Sequence, residues 1–304
     1  MSEKKFLIIG YGNMGKLHCD TLVSILGKCT FEVIDKKNLK FKNNNYKQIK
    51  QEDIVDINSY DGIIISTHSD SHISYLKKLN EFNKTIFIEK PIVNNLNDLN
   101  KLKSLNNRNI FCGFIETQND LFKIAKENLN EEPFFIQVER ISPKVKSDRI
   151  KDNVDFDLTI HDISVALEFF IDYKNIVSSK STNMLKNKDG LYELNNFNIK
   201  TKECILNFSS SRLGQKKIRN WKIFTIKEQV NIDLIKKEIV ITRKNKNIEL
   251  KKDQLIQNFN EKIINDPGIN PAKNQMLEYL KCLDDNQDEY KYNNLIYSHE
   301  LLLS

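Results

Sequence analysis

Near the start of the chain, three glycines separate an apolar run from an amphipathic one. Phe6-Leu7-Ile8-Ile9 is followed by Gly10-Tyr11-Gly12-Asn13-Met14-Gly15, and then by Met14, Leu17, Leu22, Ile25 and Leu26 at helical spacing. The first run reads as a short buried strand and residues 13 to 26 as the helix after it. Each glycine has its own task at such a junction. Gly10 permits the tight turn out of the strand. Gly12 lets the backbone approach a pyrophosphate with no Cβ in the way, and Gly15 lets helix and strand pack closely. The helix start, at Asn13 and Met14, then offers unpaired N–H groups and a partial positive charge to the phosphates.

Asp35 stands twenty residues past the last of these glycines, at the end of a second strand, Phe31-Glu32-Val33-Ile34. A carboxylate there accepts hydrogen bonds from ribose hydroxyls and repels a 2′-phosphate. That favours NAD. Lys36 and Lys37 follow at once and can offset the repulsion, which leaves NADP possible.

The alternation of strand and helix continues for about a hundred residues. Strands are expected at residues 62 to 66, 85 to 89 and 109 to 114, and helices at 72 to 82 and 96 to 105. Residues 54 to 57 form a short element of either type. Such alternation means a doubly wound parallel sheet with right-handed crossovers. The pattern then changes. A helix is expected at 120 to 129, a strand at 134 to 142, a helix from about Phe156, and mostly strands from 176 to 243. Several of these strands alternate apolar and polar residues, which marks an antiparallel sheet with one open face. Two terminal helices are expected, at 274 to 283 and 294 to 303. The fold class is therefore α/β: a dinucleotide-binding domain over 1–117, then an α+β domain over 118–304 that binds substrate and supports oligomerisation.

Bulk properties narrow the classes of function. A chain of 304 residues holds two domains with real cores. Charged residues make up 29% and the net charge is +6, with both signs interspersed. No single-sign run suggests a nucleic-acid arm. No apolar stretch reaches membrane-spanning length. The first residues run straight into a strand, which leaves no room for a signal peptide, and a cytoplasmic location is expected. The five cysteines are widely spaced with no CxxC, so neither a disulfide framework nor a zinc site is indicated, and no metal is expected.

Three further clusters carry chemistry. Ser66-Thr67-His68-Ser69-Asp70-Ser71-His72 follows a parallel strand, on the sheet edge where ligands bind. Ser66 and Thr67 can contact a cofactor there, and His72 opens the next helix; helix capping by Ser69, Asp70 or Ser71 is the alternative. Glu89-Lys90-Pro91 ends another strand, where the proline can fix the backbone, possibly as a cis peptide, and aim the lysine. Asp157 and His161 are four apart in a segment expected to be helical, so they share a face. A carboxylate can orient an imidazole and raise its basicity, which suits His161 to a general base.

Together these elements resemble the Gfo/Idh/MocA oxidoreductases, the glucose–fructose oxidoreductase and inositol dehydrogenase family. The matching parts, in order, are the GYGNMG motif with His18 after it, the Ser/Thr loop ending in His72, Glu89-Lys90-Pro91, Gly113 closing the sixth strand, and Asp157-xxx-His161-Asp162. They span about the first 170 residues. The resemblance implies a Rossmann domain, cofactor contacts that include Glu89 and Lys90, and a catalytic group of Lys90, Asp157 and His161 acting on a sugar or cyclitol hydroxyl. Residues 134 to 162 are similar to members that oxidise nucleotide-linked N-acetylhexosamines at C3. The chain departs from the family at His68, where proline is usual, and at Glu116-Thr117-Gln118-Asn119-Asp120, which replaces an Arg-Phe-Asn-Pro-like run.

The expected function is hydride transfer between nicotinamide and a secondary alcohol of a sugar, cyclitol or sugar nucleotide, in a homodimer or homotetramer. Two alternatives stay open. One is an NADPH-dependent reductase of another carbonyl, imine or enone. The other is a cofactor-binding protein without turnover.

Overall fold

The computed structural model describes residues 3–106, 108–143, 151–244, 259–265, 268, 270–284 and 289–304. They form two compact units, one of residues 1–118 with 270–303 and one of 119–269.

The first unit opens with β1 (Lys4–Ile9), α1 (Asn13–Leu26) and β2 (Cys29–Ile34), then β3 (Tyr46–Gln48) and β4 (Gly62–Ile65). It continues through α2 (His72–Lys78), β5 (Ile86–Ile88), α3 (Leu96–Lys103) and β6 (Ile110–Cys112). The six strands are parallel, in the order β3-β2-β1-β4-β5-β6. Strands β1, β4 and β5 are near-continuous Ile, Leu and Phe because helices cover both faces of such a sheet. Strand order reverses between β1 and β4, so the loops after these two strands face one crevice.

Two features of this unit differ from the sequence reading. β3 lay in what reads as a polar connection; it forms because Tyr46 stacks on Phe31, 4.7 Å between ring centroids, and on Phe41 at 5.4 Å. Residues 54–56 are neither strand nor helix and lie between short 3-10 turns at Gln51–Asp53 and Ile57–Ser59, the second of which takes in Ile57.

The second unit holds α4 (Asp120–Asn128), β7 (Phe135–Pro143), α5 (Ile160–Phe169), β8 (Ile176–Lys186), β9 (Tyr192–Thr201) and β10 (Ile205–Gly214). It ends with β11 (Ile218–Phe224), β12 (Glu228–Asp233), β13 (Glu238–Lys244) and β14 (Phe259–Asn265). The eight strands run in the order β14-β13-β12-β11-β7-β10-β9-β8, all antiparallel except the β7–β10 pair. Burial alternates along β9, β10 and β12, as expected of a sheet with one covered face. The covered face packs Trp221 against Phe122, Phe170 and Phe208. Each large apolar side chain buried in this way contributes about 1.5–3 kcal/mol.

The last two helices, α6 (Pro271–Asp284) and α7 (Glu289–Leu303), return to the first unit, although the sequence reading gave everything after residue 117 to the second domain. Tyr279 of α6 is buried among Phe6, Phe87 and Phe111. Its hydroxyl accepts the Ile63 N–H at 3.0 Å and lies 2.9 Å from Ile63 O. A Cβ on Gly62 would sit 2.8 Å from that hydroxyl, so glycine is needed there. Lys103 of α3 pairs with Glu300 of α7 at 2.8 Å. No helix among the described residues is long and apolar enough to cross a membrane. All five cysteines are free, four of them buried.

Candidate active site

The glycine turn is built as its sequence requires. Gly10 has φ +93°, and a Cβ on it would meet Ser66 O at 2.8 Å. A Cβ on Gly15 would come within 2.2 Å of Gly10 O, which no rotation relieves. Gly12 differs from both. A Cβ there would touch nothing within 4 Å, so its open side is space beside the backbone and not a packing demand. α1 begins directly after it, with no side-chain cap and no acidic residue in its first turn. The first N–H groups and the positive end of the helix are therefore left to an anion. Asn13 is exposed and Met14 half-buried at this end.

Asp35 follows β2 with its carboxylate fixed by two backbone donors. Tyr11 N–H reaches Oδ2 at 2.7 Å and Lys37 N–H reaches Oδ1 at 2.8 Å. Each oxygen keeps a lone pair for a ribose hydroxyl. Across the crevice, Ser66 Oγ donates to Gly10 O at 2.6 Å and ties the loop after β4 to the glycine turn. Ser71 Oγ lies 2.8 Å from Thr67 Oγ1.

The Glu89-Lys90-Pro91 segment follows β5, and the Lys90–Pro91 peptide is cis. Three of the five histidines, each from a different helix, hold this short stretch. His18 Nε2 is 2.7 Å from Glu89 Oε1, and Glu89 Oε2 accepts the Lys90 N–H at 3.3 Å. His72 places Nδ1 3.0 Å from Pro91 O and Nε2 3.1 Å from Thr67 O. His299 Nε2 accepts the Ile92 N–H at 2.9 Å while its Nδ1 donates to Leu295 O at 2.8 Å. All three rings are buried. His72 was expected from sequence to touch the cofactor; it is fully buried with both ring nitrogens at protein carbonyls. Glu89 is buried too, against Gly113, where a Cβ would press on its carboxylate at 3.0 Å. Lys90 itself is half-buried.

Burial pushes His299 down to about 4 from its ordinary 6.5, and the N–H it accepts requires the neutral ring. Below pH 6.5 the unfolded chain takes up a proton there that the folded chain refuses, so stability is lost as pH falls towards 4. At ~1.4 kcal/mol per unit, the whole window is worth about 3 kcal/mol. The melting temperature should fall more steeply through this window in the native protein than in His299→Gln, whose amide oxygen accepts the same N–H without titrating. Equal slopes in a thermal-melt series would refute the assignment.

In the second unit, Asp155–Thr159 is one π-helical turn that runs into α5, where the sequence suggested a plain α-helix. Such turns recur at functional sites. From Val154 to Leu167, Asp157 and His161 are the two residues that are not buried. These two partly exposed residues are the ones that the four-residue spacing singles out. Next to Asp157 lies a polar group that the sequence reading missed. Buried Arg212 places Nη1 3.3 Å from Asp157 Oδ2 and Nε 3.0 Å from Glu193 Oε2, and donates to the Asp152 and Tyr192 carbonyls. Thr159 Oγ1 donates to Asn195 Oδ1 at 3.0 Å, and Asn195 donates to Ser181 and Asn183. Asp155 is held by the Phe156 N–H and by Asn183, and burial pushes its carboxyl above the usual range. Arg140 grips Asp162 with two bonds, at 2.6 and 2.7 Å, and Trp221 Nε1 donates to the same carboxylate.

A signal for these residues does exist in the sequence. Arg140, Glu193, Asn195 and Arg212 occupy the inward phase of β7, β9 and β10, where Ile136, Val138, Phe197 and Phe208 precede or follow them. Polar residues at buried strand positions must pair with one another.

Comparison with known proteins bears on the first domain and on the fold. Residues 4–110 match the Gfo/Idh/MocA family, described as an oxidoreductase family with an NAD-binding Rossmann fold. The first domain is a Gfo/Idh/MocA Rossmann domain. Its glycine turn and Asp35 are the parts that suit NAD. No curated protein matches the sequence. Among solved structures, the chain is similar to UDP-N-acetylglucosamine 3-dehydrogenase GnnA from Acidithiobacillus ferrooxidans, with TM-score 0.77 and 13% identity over 99% of this chain and 96% of that one. A myo-inositol dehydrogenase from Corynebacterium glutamicum gives 0.73 and 15% over 99% and 95%. A levoglucosan dehydrogenase in complex with NADH gives 0.76 and 11% over 98% and 94%. At such identities the likeness is one of fold. It extends beyond the Gfo/Idh/MocA domain to the residues that follow it.

Proposed function

We propose that this protein is an NAD-dependent dehydrogenase that oxidises a secondary alcohol of a sugar, cyclitol or nucleotide-linked sugar. The observation that carries the reading is the accessible Asp157–His161 pair on an otherwise buried segment, within a chain whose first domain binds NAD. His161 takes the hydroxyl proton as general base. Asp157, anchored by Arg212, orients the imidazole and favours its charged form once the proton has moved. Lys90 donates a hydrogen bond to the substrate oxygen and stabilises its developing charge. Bound NAD supplies the hydride acceptor. The fold likeness to GnnA makes a UDP-N-acetylhexosamine, oxidised at C3, the first substrate to try. We further propose a cytoplasmic homo-oligomer, with the second sheet's open face covered by another copy.

The test is NADH formation with UDP-N-acetylglucosamine, myo-inositol and levoglucosan as donors. Turnover with one of them, lost in Lys90→Ala, is the expected result. NAD that binds but is never reduced by any of the three would favour a protein without turnover.

A further inference from the structure

The residues that follow Asp35 are held from outside by a single side chain. Gln48 sits at the end of β3, opposite Val33 of β2. Its amide makes three hydrogen bonds to one stretch of backbone. Nε2 donates to Lys37 O at 2.8 Å and to Asp35 O at 3.2 Å, while Oε1 accepts the Leu39 N–H at 2.8 Å. A primary amide has two N–H groups and one carbonyl, and here all are engaged within residues 35–39. The support behind Gln48 is firm. Tyr46 stacks on Phe31 and Phe41, and Ile49 N–H bonds Val33 O at 2.9 Å.

What this stretch contains gives the arrangement its meaning. Asp35 would meet the adenosine ribose, and its carboxylate would repel a 2′-phosphate. Lys36 and Lys37 are exposed and carry the opposite preference. Their order in the chain leaves both outcomes open, so backbone geometry decides which group meets the cofactor. The Lys37 N–H on Asp35 Oδ1 and the Gln48 amide on Lys37 O hold the peptide groups on either side of Lys37.

We propose that Gln48 is a specificity-determining residue: by locking the backbone of residues 35–39 it presents the Asp35 carboxylate, and not the ammonium groups of Lys36 or Lys37, to the 2′ position of the cofactor. The proposal rests on the reading of Asp35 as the ribose-binding acid. With the lock removed, the backbone relaxes, the carboxylate turns away, and either lysine reaches a 2′-phosphate.

Equilibrium binding of NAD and of NADP to the full chain, measured by calorimetry, tests this without any substrate. The native protein should prefer NAD, and Asp35→Ala should relax the preference. Gln48→Ala should lower the NAD-to-NADP affinity ratio by about tenfold, the scale expected from losing one or two net hydrogen bonds. Gln48→Glu, which keeps the size and the Leu39 acceptor but turns both donors into a repelling oxygen, should do the same. A change in stability alone would weaken both cofactors alike and leave the ratio fixed. If Asp35→Ala relaxes the ratio and neither Gln48 variant does, the lock is refuted and the Asp35 reading stands. If the native protein prefers NADP, or Asp35→Ala leaves the ratio unchanged, the Asp35 reading fails and the lock falls with it.

Discussion

His161→Ala should lower kcat by about 10²–10⁴, the range a positioned general base supplies. The affinity for NAD should hardly change, because the proposed role of His161 is at the substrate hydroxyl, while the pyrophosphate and ribose are assigned to the glycine turn and Asp35. The argument is one of placement. A segment that buries twelve of the fourteen residues from Val154 to Leu167 leaves Asp157 and His161 partly exposed. An imidazole left partly exposed on such a segment serves as a core-packing group poorly. Its chemistry is the reason to keep it there. Asp157→Asn should give a smaller loss, since it removes charge from the pair while Arg212 still anchors the side chain at Oδ. Steady-state rates on whichever donor reduces NAD, beside calorimetric NAD binding, would decide the matter. Full activity in His161→Ala would remove it from the mechanism.

Asp162→Ala should cost about 3–5 kcal/mol, the penalty for removing one partner of a buried ion pair. Arg140 and Asp162 are each 1% exposed, and the two hydrogen bonds between them are as short as 2.6 Å. Without the carboxylate, a guanidinium remains inside a core lined by Trp221 and Phe208. For a unit of this size the loss corresponds to a fall of roughly 10 °C in melting temperature. The two units can melt separately, so the effect belongs to the transition of the second. Replacing both partners, as Arg140→Met with Asp162→Leu, should recover most of the loss, because two charges no longer need burial. Calorimetric melts of the single and double variants check both statements. A single variant that melts within a degree or two of the native protein would show that the pair does not hold α5 to the sheet.

Both predictions concern residues that differ in how well the sequence announces them. His161 and Asp157 are legible because four-residue spacing in one helix is a local pattern. Arg140 and Asp162 are not. They are 22 residues apart, on different elements, and they meet only because β7 and α5 pack together. Arg212 and Asp157 are 55 apart. His299 and Ile92 are 207 apart, and nothing near residue 299 suggests that it supports a segment next to Lys90. The π-helical turn was invisible for a related reason. The turn packs against β9 and β10, which lie further along the chain, and no local pattern announces those neighbours.

The sequence by itself determined the doubly wound sheet, the glycine turn and the acid beyond β2. These follow from backbone freedom at three glycines and from burial patterns that repeat every two or four residues, all of which act over short stretches of chain. Tertiary structure alone decided that the last two helices complete the first unit, that three histidines hold the Lys90 segment, and that Gln48 governs the residues after Asp35. Those contacts join groups far apart in sequence, and hydrogen bonding between such groups exists only once burial has brought them together.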